Sequence, residues 1–145
     1  MPDFTIRPAT EADAPDLTKV FAAAYAPFLA SLPDLPDVTG GLAADIAAHQ
    51  VWVAEREGRV LGGVVLVWGA GTPTLANLAV HPEEGGRGLG RRLIAVVEEA
   101  CRKEGAATLV LASHASMTDT LALYRRLGWR ETGRSGNKVQ MEKTL

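Results

Sequence analysis

The chain has 145 residues, 47% of them hydrophobic and 22% charged, and its 15 Lys and Arg against 17 Asp and Glu leave a formal net charge of −2. That length suits one compact domain over residues 1–145. The near-balanced charge excludes a global electrostatic drive toward nucleic acid or an anionic membrane. Cys101 is the single cysteine, which excludes an internal disulfide, and its place in a helical pattern reads as a packing residue. Met1-Pro2-Asp3-Phe4 lacks a basic region followed by an apolar run, and the longest apolar stretch, Val60 to Ala70, is short and interrupted by glycine. A cytoplasmic protein with no membrane and no nucleic-acid partner is the expectation.

Along the chain, Phe4 to Arg7 alternates as a short strand before Pro8. Thr10-Glu11-Ala12-Asp13 has the form of a capping box with Asp in place of Glu. Leu17, Val20, Phe21, Ala24 and Tyr25 recur at helical spacing, predicting an amphipathic helix to about Ala26 that Pro27, Pro33 and Pro36 break. Thr39 to His49 reads as a second helix with Leu42, Ile46 and Ala47 inward. Gln50–Glu55, Arg59–Trp68 and Thr74–Val80 form a three-strand meander, with Glu57-Gly58 as its first turn. Arg87–Glu104 is a strong helix closed by Gly105, Thr108–Ala112 a buried-type strand, and Met117–Leu127 a helix closed by Gly128. Trp129–Arg134 and Lys138–Glu142 form a final hairpin around Ser135-Gly136-Asn137. The order β-α-α-β-β-β-α-β-α-β-β predicts an α/β fold, a mixed sheet with helices on both faces.

The most informative segment runs from Leu78-Ala79-Val80-His81-Pro82 into Gly85-Gly86-Arg87-Gly88-Leu89-Gly90-Arg91. A strand passes through a glycine-dense turn straight into a helix. Glycines let the backbone approach a ligand, and the first helical N–H groups have no partner within the helix. A pyrophosphate is the natural occupant of such a terminus, and Arg87 and Arg91 add charge. A Walker loop would need Lys-Ser or Lys-Thr after the last glycine, where Arg91-Arg92 stands. A Rossmann turn would come early in a βαβ unit with an acid closing the following strand, and Thr108–Ala112 has none.

These residues resemble the GNAT superfamily of N-acetyltransferases. The strand end Leu78-Ala79-Val80-His81-Pro82 with Gly88 and Gly90 is similar to the family's first block, and Leu123-Tyr124-Arg125-Arg126-Leu127-Gly128-Trp129 to its second. The opening Thr5-Ile6-Arg7-Pro8 to Asp13 is also typical, so the resemblance covers nearly the whole chain. It implies a GNAT-like, mostly antiparallel central sheet and acetyl-CoA as co-substrate, with no metal. It also implies roles. The backbone of Leu78, Ala79 and Val80 would hold the pantetheine arm. Amides from Gly85 through Gly86, Arg87, Gly88, Leu89, Gly90 and Arg91 would hold the pyrophosphate. Tyr124 would act as general acid at the leaving sulfur, and the Val80 N–H would polarise the carbonyl. Two positions depart from the family pattern: Gly85 stands where Arg or Gln is usual, and Met117 where Asn is frequent, with Ser116 as a substitute contact.

The implied reaction is attack of a primary amine, on a small molecule or a protein or peptide, at the thioester carbonyl. An alkylammonium has a pKa of about 10.4, so a base is expected. The strand that often carries a Glu offers only Asn77, which suits a water-orienting role, and His114 and His49 are further candidates. Asp34, Asp37 and Asp45 lie where the resemblance puts the acceptor site. A CoA-binding sensor without catalysis and an ATP-binding protein using the same turn stay open, as does a homodimer.

Overall fold

The computed structural model describes residues 3–29, 41–69 and 71–145, so Pro33, Pro36, Asp34, Asp37 and Thr39 lie outside the described residues. The elements are β1 (Thr5–Pro8), α1 (Ala14–Leu29), α2 (Leu42–Ala48), β2 (Gln50–Arg56), β3 (Arg59–Val67), β4 (Thr74–Val80), α3 (Leu89–Lys103), β5 (Thr108–His114), α4 (Thr118–Arg126), β6 (Arg130–Ser135) and β7 (Lys138–Thr144). Short 3-10 turns at Glu11–Asp13 and Pro82–Glu84 lead toward α1 and α3. This is the element order expected from the sequence.

Several boundaries moved for identifiable reasons. Pro27 does not end α1, whose backbone continues to Leu29. The helix expected from Arg87 starts at Leu89, because Gly88 sits at φ +81° as its N-cap and Gly86 at φ +80°. β5 runs past Ala112 to His114, because its ladder with β7 continues to the pair His114–Lys138. Ala47 is exposed, while Leu42 and Ile46 pack inward.

The strands form one seven-stranded sheet in the order β1-β2-β3-β4-β5-β7-β6. All neighbours are antiparallel except β4 and β5, which are parallel and register only at Thr74 against Val110. The Arg56–Arg59 hairpin closes through Glu57 at φ +52° and Gly58 at φ +79°, as a two-residue turn of the twist-matched type requires.

Alternation along the strands sends side chains to two cores. On one face Leu17, Val20 and Phe21 of α1 and Leu42 of α2 cover Val51, Val53, Val65 and Ala79. On the other, Leu89, Leu93, Ile94 and Val97 of α3 and Leu121 of α4 cover Ala54, Val64, Leu75, Leu109 and Leu111. Cys101 is fully buried there, the packing role expected of it.

The capping sequence also holds β1 to β2. Asp13 accepts from the Thr10 N–H at 2.8 Å and receives both terminal nitrogens of Arg7 at 2.8 and 2.9 Å. Arg7 also donates to Glu55 at 2.9 and 3.2 Å. The Arg7 hydrogen bonds hold the Asp13 pKa down to about 2 from 3.8, against the opposing effect of burial. A carboxyl whose folded pKa is depressed stabilises fully above its unfolded value, and that stability is lost as the pH falls through the folded one. Asp13→Asn should therefore be less stable near neutrality, yet lose less of its stability than the parent between about pH 5 and about pH 2. Urea midpoints across that range measure the difference.

Candidate functional site

Because β4 and β5 pair in register only at Thr74 and Val110, they splay apart toward their C-terminal ends. A cavity of about 430 Å³ fills the opening. It is walled by Leu75 to Leu78 of β4, Leu111 to His114 of β5, Tyr25 of α1, and Met117, Thr120 and Tyr124 of the α4 segment. Ser135, Asn137 and Lys138 of the last hairpin complete it. Among the described residues that line it, Lys138 is the one Lys, Arg, Asp or Glu.

The open edge of β4 presents backbone groups to this cavity. The β3–β4 ladder shifts register between Val65 and Leu66, where Asn77 and Leu75 face successive β3 residues and Ala76 is extra. Further along, the His81 N–H donates to the Leu61 carbonyl at 2.8 Å. Backbone polar groups alternate between the two edges of a strand, so His81 and Ala79 point at β3 while Leu78 and Val80 point at the open edge. The Tyr25 hydroxyl, 3.4 Å from the Leu78 carbonyl, reaches that edge from α1.

The glycine turn follows directly. Gly86 and Gly88 both take positive φ, and no described atom lies within 4 Å of a Cβ built on either. Gly90, in the first turn of α3, lies beside Leu123 of α4 and Val80 of β4: a Cβ there would meet their side chains at 3.6 and 3.9 Å. The turn, the end of β4 and the Leu123-Tyr124 pair thus converge, although they are far apart in sequence.

The two arginines of the turn differ. Arg87 is drawn back toward acids, 3.6 Å from Asp3 and 3.8 Å from Glu84. Arg91 is exposed and makes no ion pair with a described residue. Glu84 is buried and accepts both terminal nitrogens of Arg56, each at 3.0 Å. Those hydrogen bonds hold its carboxyl below the usual range. The pair ties the turn to the end of β2, a link no local motif announces.

Tyr124 is buried and meets Trp129 edge-on, with ring centroids 5.4 Å apart. Burial pushes its hydroxyl pKa well above the ordinary value, and the nearby Tyr25 adds to the rise. His114 is buried at the end of β5, and its Nδ1 accepts the Ser116 N–H at 3.1 Å. A nitrogen that accepts is unprotonated, so the neutral ring carries its hydrogen on Nε2. The lone pair expected of a base is already in use. Asn77 is half-buried and lines the cavity. Ser116 is exposed and is not among its lining residues; Met117 and Thr120 are. Asp45 and His49 are also absent from its wall. Tyr25, Thr120, Asn137 and Lys138 escaped sequence reasoning; Tyr25 reads there as one more residue of an apolar stripe.

Residues 47–131 match the family model of the acetyltransferase (GNAT) domain, more than half of the chain. The chain belongs to the GNAT acetyltransferase family. Among curated proteins, this GNAT chain is 29% identical over 109 residues to N-acetyltransferase 8B of Homo sapiens, covering 70% of the chain and 47% of that protein. It is 43% identical over 58 residues to the ribosomal protein bS18-alanine N-acetyltransferase of Escherichia coli K12, covering 40% of the chain and 39% of that protein. The matches thus span less than half the length of either relative. In fold, it superposes on the PaiA N-acetyltransferase of Thermoplasma acidophilum, solved in complex with coenzyme A, with a TM-score of 0.85 and 20% identity over 98% of this chain and 99% of that one. Among the described residues, no group of three or more His, Cys, Asp or Glu stands placed to hold a metal ion, and no helix is long and apolar enough to cross a membrane.

The Arg56–Glu84 bond carries a consequence for this GNAT turn. Arg56→Met removes both hydrogen bonds to the buried Glu84 carboxylate and leaves it only the longer contact with Arg87 of the turn. CoA affinity, read by calorimetry, should weaken several-fold, and the double variant Arg56→Met, Glu84→Gln should recover part of the loss.

Proposed function

We propose that residues 1–145 act as one acetyltransferase domain that moves an acetyl group from acetyl-CoA to a primary amine of a small molecule, protein or peptide. The observation that carries this reading is the cleft that the open β4 edge shares with Tyr124, with Gly90 of the glycine turn lying beside Val80 and Leu123. Membership of the GNAT family and a fold shared with a CoA-bound N-acetyltransferase support it.

In this reading the pantetheine arm lies along the open edge of β4 and bonds the outward backbone groups of Leu78 and Val80. The pyrophosphate sits on the amides at the start of α3 and on Arg91. Gly85 has no side chain to offer and Arg87 faces its own acids, so the backbone supplies most of this contact. Ala79 turns its side chain into the α1-side core and serves as part of the strand frame.

The amine nitrogen attacks the thioester carbonyl, whose oxygen gathers charge that the Val80 N–H stabilises. The C–S bond then breaks. The nitrogen sheds one proton and the sulfur gains one, which closes the balance as amide and free thiol. Tyr124 serves the departing sulfur as general acid. Burial raises its pKa well above that of a thiol, about 8.5. Its chief contribution is therefore a hydrogen bond that strengthens as negative charge builds on sulfur. Asn77 orients water or amine in the cleft, and His114, whose Nδ1 accepts the Ser116 N–H, is not assigned as the base in this reading.

Purified protein should release free CoA from acetyl-CoA when offered n-butylamine, spermidine or an alanine-initiated peptide. Acetyl-CoA binding without release across all three would favour the sensor reading instead. Gly88→Glu should abolish CoA binding in calorimetry, because a carboxylate would meet the pyrophosphate and Glu is strained at φ +81°; retained binding would refute the turn assignment. Tyr124→Phe should lower kcat roughly a hundredfold while CoA affinity stays nearly unchanged.

A further inference from the structure

Two tyrosines face the same cavity from opposite sides of the sheet. Tyr25 comes from α1, which packs on one core, and Tyr124 from α4, which packs on the other. Their hydroxyls are not equivalent. The Tyr25 O–H is directed at the Leu78 carbonyl, 3.4 Å away. A hydroxyl has one hydrogen and two lone pairs, so one that donates to the backbone shows its surroundings only acceptor character. The Tyr124 hydroxyl makes no hydrogen bond with a described residue, and its proton is available to the cavity.

Other polar side chains, Asn77, Ser113 and Thr120 among them, line the cavity, but Tyr25 is set apart by its hydrogen bond at the Leu78 carbonyl. Lys138 has donors only. The Nδ1 of His114 is occupied by the Ser116 amide. An attacking amine has the opposite need: its lone pair must point at the carbonyl carbon, so its N–H bonds must find acceptors elsewhere. Leu78 belongs to the strand edge where the thioester would lie, which sets the Tyr25 oxygen next to the reacting centre.

Resting on the acetyltransferase reading above, we propose that Tyr25 is the residue that binds the acceptor amine, taking one of its N–H bonds and aiming its lone pair at the thioester from the side opposite Tyr124. It acts as a neutral acceptor and not as a base, since burial holds its hydroxyl pKa above the ordinary value.

The test compares Tyr25→Phe with the parent in steady-state CoA release, with n-butylamine, spermidine and the alanine-initiated peptide as probes. The ring is kept, so the core is undisturbed and only the oxygen is lost. The KM for the amine should rise roughly fivefold, the size of one ordinary hydrogen bond, with the KM for acetyl-CoA unchanged. Tyr124→Phe should show the reverse pattern, a fall in kcat at constant amine KM. An unaltered amine KM in Tyr25→Phe would overturn the proposal. So would an equal rise in the KM for acetyl-CoA, because that would mean Tyr25 merely braces the Leu78 strand. A parent enzyme that binds acetyl-CoA but releases no CoA with any probe would sink the transferase reading itself, and the role of Tyr25 with it.

Discussion

β4 and β5 run parallel, yet they register at a single point, Thr74 against Val110. The rest of the molecule follows from that one constraint. Two neighbouring strands that diverge leave backbone donors and acceptors unpaired in the middle of a sheet, which is costly unless something else satisfies them. On the β3 side the ladder is paired on either side of the bulge at Ala76; on the β5 side Leu78 and Val80 face the gap, where the Tyr25 hydroxyl reaches the Leu78 carbonyl. A ligand with amide groups of its own, such as the pantetheine arm, suits such an edge.

The surrounding elements hold the gap open. Packing on both faces keeps β4 and β5 attached to separate supports: β4 to β3 and α1, β5 to β7. The Arg56–Glu84 bond stops the glycine turn from drifting off the end of β4. Lys143 donates to both oxygens of the buried Glu98, at 3.0 and 3.1 Å, and so fastens α3 to β7 across the same face. None of these groups enters the cleft, yet they set where its walls stand.

The charge distribution in the turn suits the proposed reading, in which backbone supplies most of the anion contact. A glycine-rich helix start needs little help with an anion, because its unpaired amides already point at it. Gly85 brings no side chain, and Arg87 spends its charge on Asp3 and Glu84. Arg91 remains as the exposed partner without an ion pair to a described residue. At Tyr124 burial works the other way: it discourages ionisation and keeps the hydroxyl protonated, as the proposed general-acid role requires.

Much of this was legible in the linear chain, and the reason is locality. Periodicity, turn glycines and caps act over a few residues, so the sequence by itself determined the element order, the glycine turn and the placement of Tyr124 on a helix ending at Gly128. Gly105 and Gly128 do stand at φ +79° and +95° past their helices. What the sequence could not decide is anything set by distance in space. The single β4–β5 register point, the Arg56–Glu84 bond across 28 residues and the Tyr25 hydroxyl at a carbonyl 53 residues away belong to the tertiary structure. The Ser116 amide at the His114 Nδ1 is likewise a contact that the position of His114 in the chain does not reveal. An amphipathic stripe shows that Tyr25 faces inward; only the packed sheet shows what it faces.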